Sequence, residues 1–285
     1  MNHPADLISP EVERIVRDLG VPPCPAVLSD FSAEMRREEP DLMRISHLIG
    51  KDVAIAGALL KIVNSPLYAL RHKAATVRQS LQMLGLRTTS NVVAGLLIRK
   101  AFPAVGSVDL TGFWDASTKI AQLSAYFARE LGVANLDEAH TFALFRDCGV
   151  PVLMGRFPDY GRSIGVEAPH AASDVTLLER ERYGVDHAEA SAALARSWHM
   201  LPQVWSPIAV HHGVEAEARP QIAESAQRLI DVAMLAECAY RAHRCGVDPL
   251  TALAAKGDLL DRLGVAPGAL DEDARVDVLR LLSGN

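Results

Sequence analysis

An all-α protein built from two packed helical lobes is what this sequence predicts, and three observations carry the prediction. Apolar residues recur at helical spacing along most of the chain; residues suited to start and stop helices punctuate those runs; and the alternation expected of half-buried strands is nearly absent. In LMRISHLIG, Leu42, Ile45, Leu48 and Ile49 form one helical stripe, and a second apolar segment follows Asp52.

The elements follow in order. Ser9-Pro10 opens a first helix, Asp41 and Asp52 cap the next two, and Thr76 opens TVRQSLQML, which Gly85 closes. After Phe102 the stretch PAVGSVD interrupts the pattern, and a long amphipathic helix begins near Asp109 and runs toward Leu131. A lobe boundary belongs there, giving an N-terminal lobe over 1–105 and a second lobe over 106–285. Further helices are expected at Leu136 to Cys148, Asp174 to Arg182, Asp186 to Met200, Pro202 to His212 and Ala223 to Cys245, and then short ones around LTALAAKG and DEDARVDVLRLL.

Composition narrows the function classes. The chain has 285 residues, 49% of them hydrophobic and 22% charged, enough to bury a sizeable core and too apolar for disorder. The formal charge of -6 repels phosphate backbones, so nucleic acid is a disfavoured partner. Cys24, Cys148, Cys238 and Cys245 form no CxxC pair, which suggests reduced thiols in a cytoplasmic setting. No apolar run approaches the roughly 20 residues of a membrane span, and the acidic N-terminus does not resemble a secretory signal.

Candidate chemistry lies mostly after the boundary: Asp147 in ALFRDCGV, His187 in GVDHAEAS, His211 and His212 in AVHHG, and Asp231 in RLIDVAML. Histidines and carboxylates together suit zinc, iron or manganese, and a set scattered over several helices can converge inside a bundle. Taken singly, each histidine is more simply satisfied by a backbone carbonyl or solvent. His47 and His72 have nothing nearby to build a ligand set. A carboxylate in an apolar run needs compensation, so the adjacent Arg146 matters.

The order of this set resembles the HD superfamily of metal-dependent phosphohydrolases, whose dyad is His-Asp at a helix end. Here Arg146 stands for the dyad histidine, Val150 for a lysine, and Ala116 for a histidine on the preceding long helix. His187, His211, His212 and Asp231 match. The resemblance therefore implies a degenerate site, with Arg146 beside Asp147 and near Asp231 supplying the positive charge of the lost ion. The alternative turns Arg146 to solvent and leaves Asp147 to water or a helix end. No cofactor and no catalytic residue are expected; if any metal binds, Asp147, His187, His211 and His212 would hold it.

The first lobe carries a second resemblance. VPPCPAVLSDF, the segment from LMRISHLIG through NSPLYAL, and TVRQSLQMLGL are similar to the HDOD family, with Pro22, Pro25, Asp52, Asn64, Ser65, Tyr68, Leu84 and Gly85 on its motif positions. Cys24, Val53 and Ser80 depart from the pattern. NSPLY has a local reading as a structural turn, with Asn64 and Ser65 ending a helix and Pro66 fixing the exit.

The HDOD resemblance spans about Val21 to His212 and implies a bacterial signal-transduction module that binds a protein partner or a small regulatory ligand without hydrolysis. A metal-dependent phosphohydrolase with a reduced site is the alternative, although the chain continues HHGVEAEARP where the GYP branch has its signature. A second alternative is a DNA-binding regulator that presents Arg87, Thr88, Thr89 and Ser90 from residues 76–100, opposed by its apolar face and the net charge.

Overall fold

The computed structural model describes residues 23–68, 70–102, 104–165, 175–212, 222–266 and 268–283. Pro22 and the helix expected after Ser9 lie outside them. The described residues are helical nearly throughout. Among them α1 is Ala26–Met35, α2 Leu42–Gly50, α3 Val53–Val63 and α4 Val77–Ala101, with a 3-10 turn at Pro66–Tyr68.

The capping chemistry does what the sequence asks of it. Asp41 accepts from the Arg44 N–H, Asp52 from those of Ala54 and Ile55, and Thr76 from that of Gln79. Asp52 also pairs with Lys100 at the far end of α4, so one carboxylate starts a helix and ties two together. Gly85 sits inside α4 with φ 79° and ψ 170°, a backbone conformation that breaks the helix and that a residue with a side chain rarely adopts. The expected stop is thus real, but a second helical segment resumes at once.

NSPLY is a clamp. The Asn64 side chain donates to the Ala74 carbonyl and accepts from the Ala74 N–H, both at 2.8 Å, which closes the loop between α3 and α4. Ser65 Oγ donates to the Ile62 carbonyl at 2.6 Å, Leu67 is buried, and Tyr68 is largely buried. Pro25 immediately precedes α1 as its N-cap residue.

The stretch read only as a break forms a two-stranded antiparallel hairpin, β1 Ala104–Val105 and β2 Val108–Asp109, with Gly106 at φ 58° in its turn. After the hairpin come α5 Thr111–Glu130, α6 Leu136–Phe145, α7 Gly149–Arg156, α8 Tyr160–Ser163, α9 Val175–Tyr183, α10 His187–Ser197, α11 Pro202–Ile208 and α12 Glu224–Arg244. Helices α13 Pro249–Ala254, α14 Gly257–Leu263 and α15 Glu272–Ser283 complete the series.

One hydrophobic core cluster runs from Leu28 in α1 to Leu282 in α15, across the lobe boundary expected from the sequence. Polar ties cross it too: Arg129 in α5 donates to the Leu67 carbonyl at 2.6 Å, and Thr88 in α4 bonds Asp137 in α6 at 2.5 Å. Of the four residues of the DNA-binding alternative, this packing buries two, leaves Ser90 half-buried and leaves Arg87 at the surface. Thr89 is fully buried and donates to the Gly85 carbonyl, Thr88 is buried, and Arg87 is paired with Glu138. The apolar face of VVAGLLI is core, as its hydrophobicity demands. No helix among the described residues is long and apolar enough to cross a membrane.

Candidate metal centre

The predicted residues meet where three chain segments cross. Helix α6 ends at Phe145, and Arg146, Asp147 and Cys148 make the turn into α7. Gly149 lets α7 press onto the start of α10: a Cβ there would lie 2.1 Å from the His187 carbonyl oxygen. Its N–H donates to Ser191 Oγ at 2.7 Å, and Ser191 Oγ donates to that same His187 carbonyl. This backbone contact brings Asp147 to His187.

His187 is the first residue of α10, directly after the N-cap Asp186, which forms a reciprocal capping box with Glu189. His211 and His212 lie in the turn after α11. One ligand atom from each of Asp147, His187, His211 and His212 falls within 4.8 Å of the others. Asp147 Oδ1 is 3.2 Å from His211 Nε2 and 3.5 Å from His187 Nε2. The three imidazoles pack edge to face or tilted, with centroids 4.3–5.6 Å apart.

Hydrogen bonds behind the rings fix their orientation. His211 Nδ1 is 2.7 Å from the Ile208 carbonyl, which only accepts, so Nδ1 carries the proton. His187 Nδ1 is 2.7 Å from Glu179 Oε2, which also accepts from the His187 backbone N–H at 3.0 Å. Tyr160 donates its hydroxyl to the other oxygen of Glu179. Burial alone would depress His187, but Asp147 and Glu179 outweigh it and raise its pKa to about 10. His212 is pushed down, first by burial and then by the neighbouring histidines. Cys148 is pushed up by burial and is inert as a nucleophile.

Arg146 contacts Asp147 as expected: Nε donates to Oδ2 at 3.0 Å, both side chains 5% exposed. The solvent-facing alternative for Arg146 is therefore overturned, because its other arm donates to Glu237 in α12 at 2.8 Å. Burial works against this guanidinium, but the two carboxylates hold its pKa above the ordinary value.

Arg146 is not what neutralises Asp147 alone, since His211 and His187 face the second oxygen. Asp231 is not among the four residues whose ligand atoms lie within 4.8 Å of one another. It is buried and bonds Arg262 in α14 at 3.1 Å. Glu237, six residues further along α12, is a partner of Arg146. Ala116 is buried in α5 and offers no donor.

Sequence reasoning missed Glu179, Tyr160, Glu237 and Arg262. Glu179 was legible: it lies four residues after Val175 and four before Tyr183, on the buried face of α9, whereas its neighbours Arg180 and Glu181 are exposed. Glu237 carried no such signal.

The fold is shared with solved structures. A Shewanella amazonensis SB2B protein provisionally named a phosphohydrolase superposes with TM-score 0.69 over 97% of this chain and 99% of its own, at 20% identity. An HDOD domain protein with unknown function from Geobacter sulfurreducens superposes with TM-score 0.65 over 96% and 94%, at 18% identity. An uncharacterized protein of Treponema pallidum (strain Nichols) is 23% identical over 226 residues, which are 78% of this chain and 42% of that relative. The chain thus spans less than half the length of the curated relative it matches. Residues 21–214 match the HDOD domain, and the chain belongs to that family.

Proposed function

We propose that this HDOD chain is a bacterial signal-transduction module that acts by binding a protein partner or a small regulatory ligand, without hydrolytic activity. The observation that carries the reading is Arg146: a buried guanidinium bonded to Asp147 and Glu237 at the position where related hydrolases have the dyad histidine. A hydrolytic metal needs an open coordination position beside well-placed ligands. Ala116 offers no donor where those hydrolases have a second histidine, and Asp231 bonds Arg262, so the dyad side of the site lacks both of its histidines. A cytoplasmic setting belongs to the same reading, because all four cysteines are free thiols.

The competing reading, a phosphohydrolase with a reduced site, draws on the four-residue cluster. Incubation of the full chain with bis(p-nitrophenyl) phosphate and with cyclic dinucleotides, in turn with Mg2+, Mn2+, Fe2+ and Zn2+, separates the two. The expected result is no turnover above the metal-only blank; metal-dependent turnover that disappears in Asp147→Asn overturns the proposal.

A further inference from the structure

We infer that the face where helix α15 meets the loop between α3 and α4 is a self-association surface, which takes a second copy of this chain by charge complementarity. The inference goes beyond the non-hydrolytic reading, and none of its residues belongs to the Asp147 cluster.

Charge is divided unevenly along the chain. Residues 23–101 carry 11 Lys and Arg against 6 Asp and Glu, whereas residues 102–285 carry 16 against 25. Part of the cationic excess gathers around the NSPLY clamp. Lys61 lies one helical turn before Asn64, Arg71 and Lys73 precede Ala74 in the loop, and Arg78 follows it at the start of α4. All four are exposed, and none makes an ion pair or side-chain hydrogen bond among the described residues. The two bonds between Asn64 and Ala74 hold this loop in one shape, so binding need not order it first.

An acidic counterpart lies beside it. Helix α15 packs against the Pro66–Tyr68 turn that leads into the basic loop, and against α5, whose Arg129 holds that turn by its Leu67 carbonyl. Asp271, Glu272 and Asp273 begin this segment, and all three are exposed. Glu272 pairs with Arg275 and Asp271 accepts from the Ala274 N–H, but the Asp273 carboxylate has no partner among the described residues. Val276 and Leu279 follow at three-residue intervals, 41% and 36% exposed, and so continue outward the strip that Asp273 begins.

Apolar residues rimmed by charge are the composition of an interface. The nearness of two patches of opposite sign decides the occupant. The ion pairs that α15 makes among the described residues use its own Arg275 and Arg280, so the basic loop stays unneutralised. A copy turned about a two-fold axis sets each basic loop against the other's Asp271–Asp273 segment, and the match is made twice. A polyanion fits less well, because the acids of α15 and the negative excess over 102–285 repel phosphates arriving at the same face.

Sedimentation velocity of the full chain at about 50 mM and 500 mM NaCl tests the surface. The expected result is a reversible dimer at low salt that dissociates at high salt. The paired substitutions Arg71→Glu with Lys73→Glu, and Glu272→Lys with Asp273→Lys, alter only exposed side chains and should keep the helical circular dichroism. Each pair should weaken the dimer about tenfold or more. An equal mixture of the two variants should associate again, because every basic segment then faces an acidic one.

A chain that stays monomeric at low salt, a dimer indifferent to salt, variants that dimerise like the parent, or a mixture that remains monomeric overturns the inference and leaves the non-hydrolytic reading standing. A monomer that binds duplex DNA or phosphatidylglycerol vesicles, and loses that binding with Arg71→Glu and Lys73→Glu, overturns it as well and assigns the basic loop to phosphate.

Discussion

Replacing Arg146 by methionine tests most directly what holds Asp147 in the interior. Methionine keeps the aliphatic stem and removes the guanidinium, so the change is chiefly electrostatic. Arg146 makes two charge-assisted contacts, 3.0 Å to Asp147 and 2.8 Å to Glu237, and its side chain is 5% exposed. Removing one member of a buried ion pair costs about 3–5 kcal/mol, because the remaining charge stays desolvated. Glu237 is 17% exposed and keeps Arg241, and the proton that His187 holds offsets part of the loss at Asp147. These offsets place the expected destabilisation near the lower end, about 3 kcal/mol.

Urea unfolding followed by the fluorescence of Trp114, Trp198 and Trp205, in the presence of chelator so that bound metal does not contribute, measures it. Arg146→Lys, which keeps the charge but not the two-pronged geometry, should fall between the parent and R146M. A loss below about 1 kcal/mol for R146M would mean that Arg146 does not compensate Asp147, and the substitution of dyad histidine by arginine would need another explanation.

Three further outcomes follow from the geometry. Asn64→Ala removes both bonds to Ala74 and should cost about 2 kcal/mol in the same assay, at roughly 1 kcal/mol per bond; an unchanged midpoint would show that NSPLY closes without its clamp. Gly149→Ala forces a Cβ to within 2.1 Å of a backbone oxygen and should cost at least about 1–3 kcal/mol, because α7 and α10 must separate; an unchanged urea midpoint would refute the close approach.

His140, buried in α6, has its pKa depressed by burial to about 4 against about 6.5 in the unfolded chain. Above pH 6.5 both states are neutral. Between 6.5 and 4 the unfolded state takes the proton first, so stability falls, by about 3 kcal/mol at the limit. The stability–pH curve of His140→Leu should therefore be flatter than the parent's across that window, and parallel curves would contradict the assignment.

Which parts of this molecule could be read from its sequence follows from how local the determining forces are. Asp41, Asp52 and Thr76 cap helices through neighbours two or three residues away, so their roles were visible. The hairpin was equally local, since Gly-Ser between two valines is a turn signal, and it was overlooked because the stretch is so short. Asp147, His187, His211 and His212 were assembled from motif order. The partners of Asp231 and Arg146 were not, because they depend on the rotation of α12 and on the return of α14, which no local pattern encodes. The convergence of Gly149 on His187 is likewise a tertiary fact, although a glycine after Asp-Cys is its trace in the sequence.

The division of labour on the Asp147 carboxylate has a mechanical meaning. With Oδ2 tethered to the Arg146 guanidinium and Oδ1 facing His211 and His187, the group cannot rotate without losing a contact on one side or the other. The turn from α6 into α7 is therefore held in rotation as well as in position, like a key with teeth on both edges.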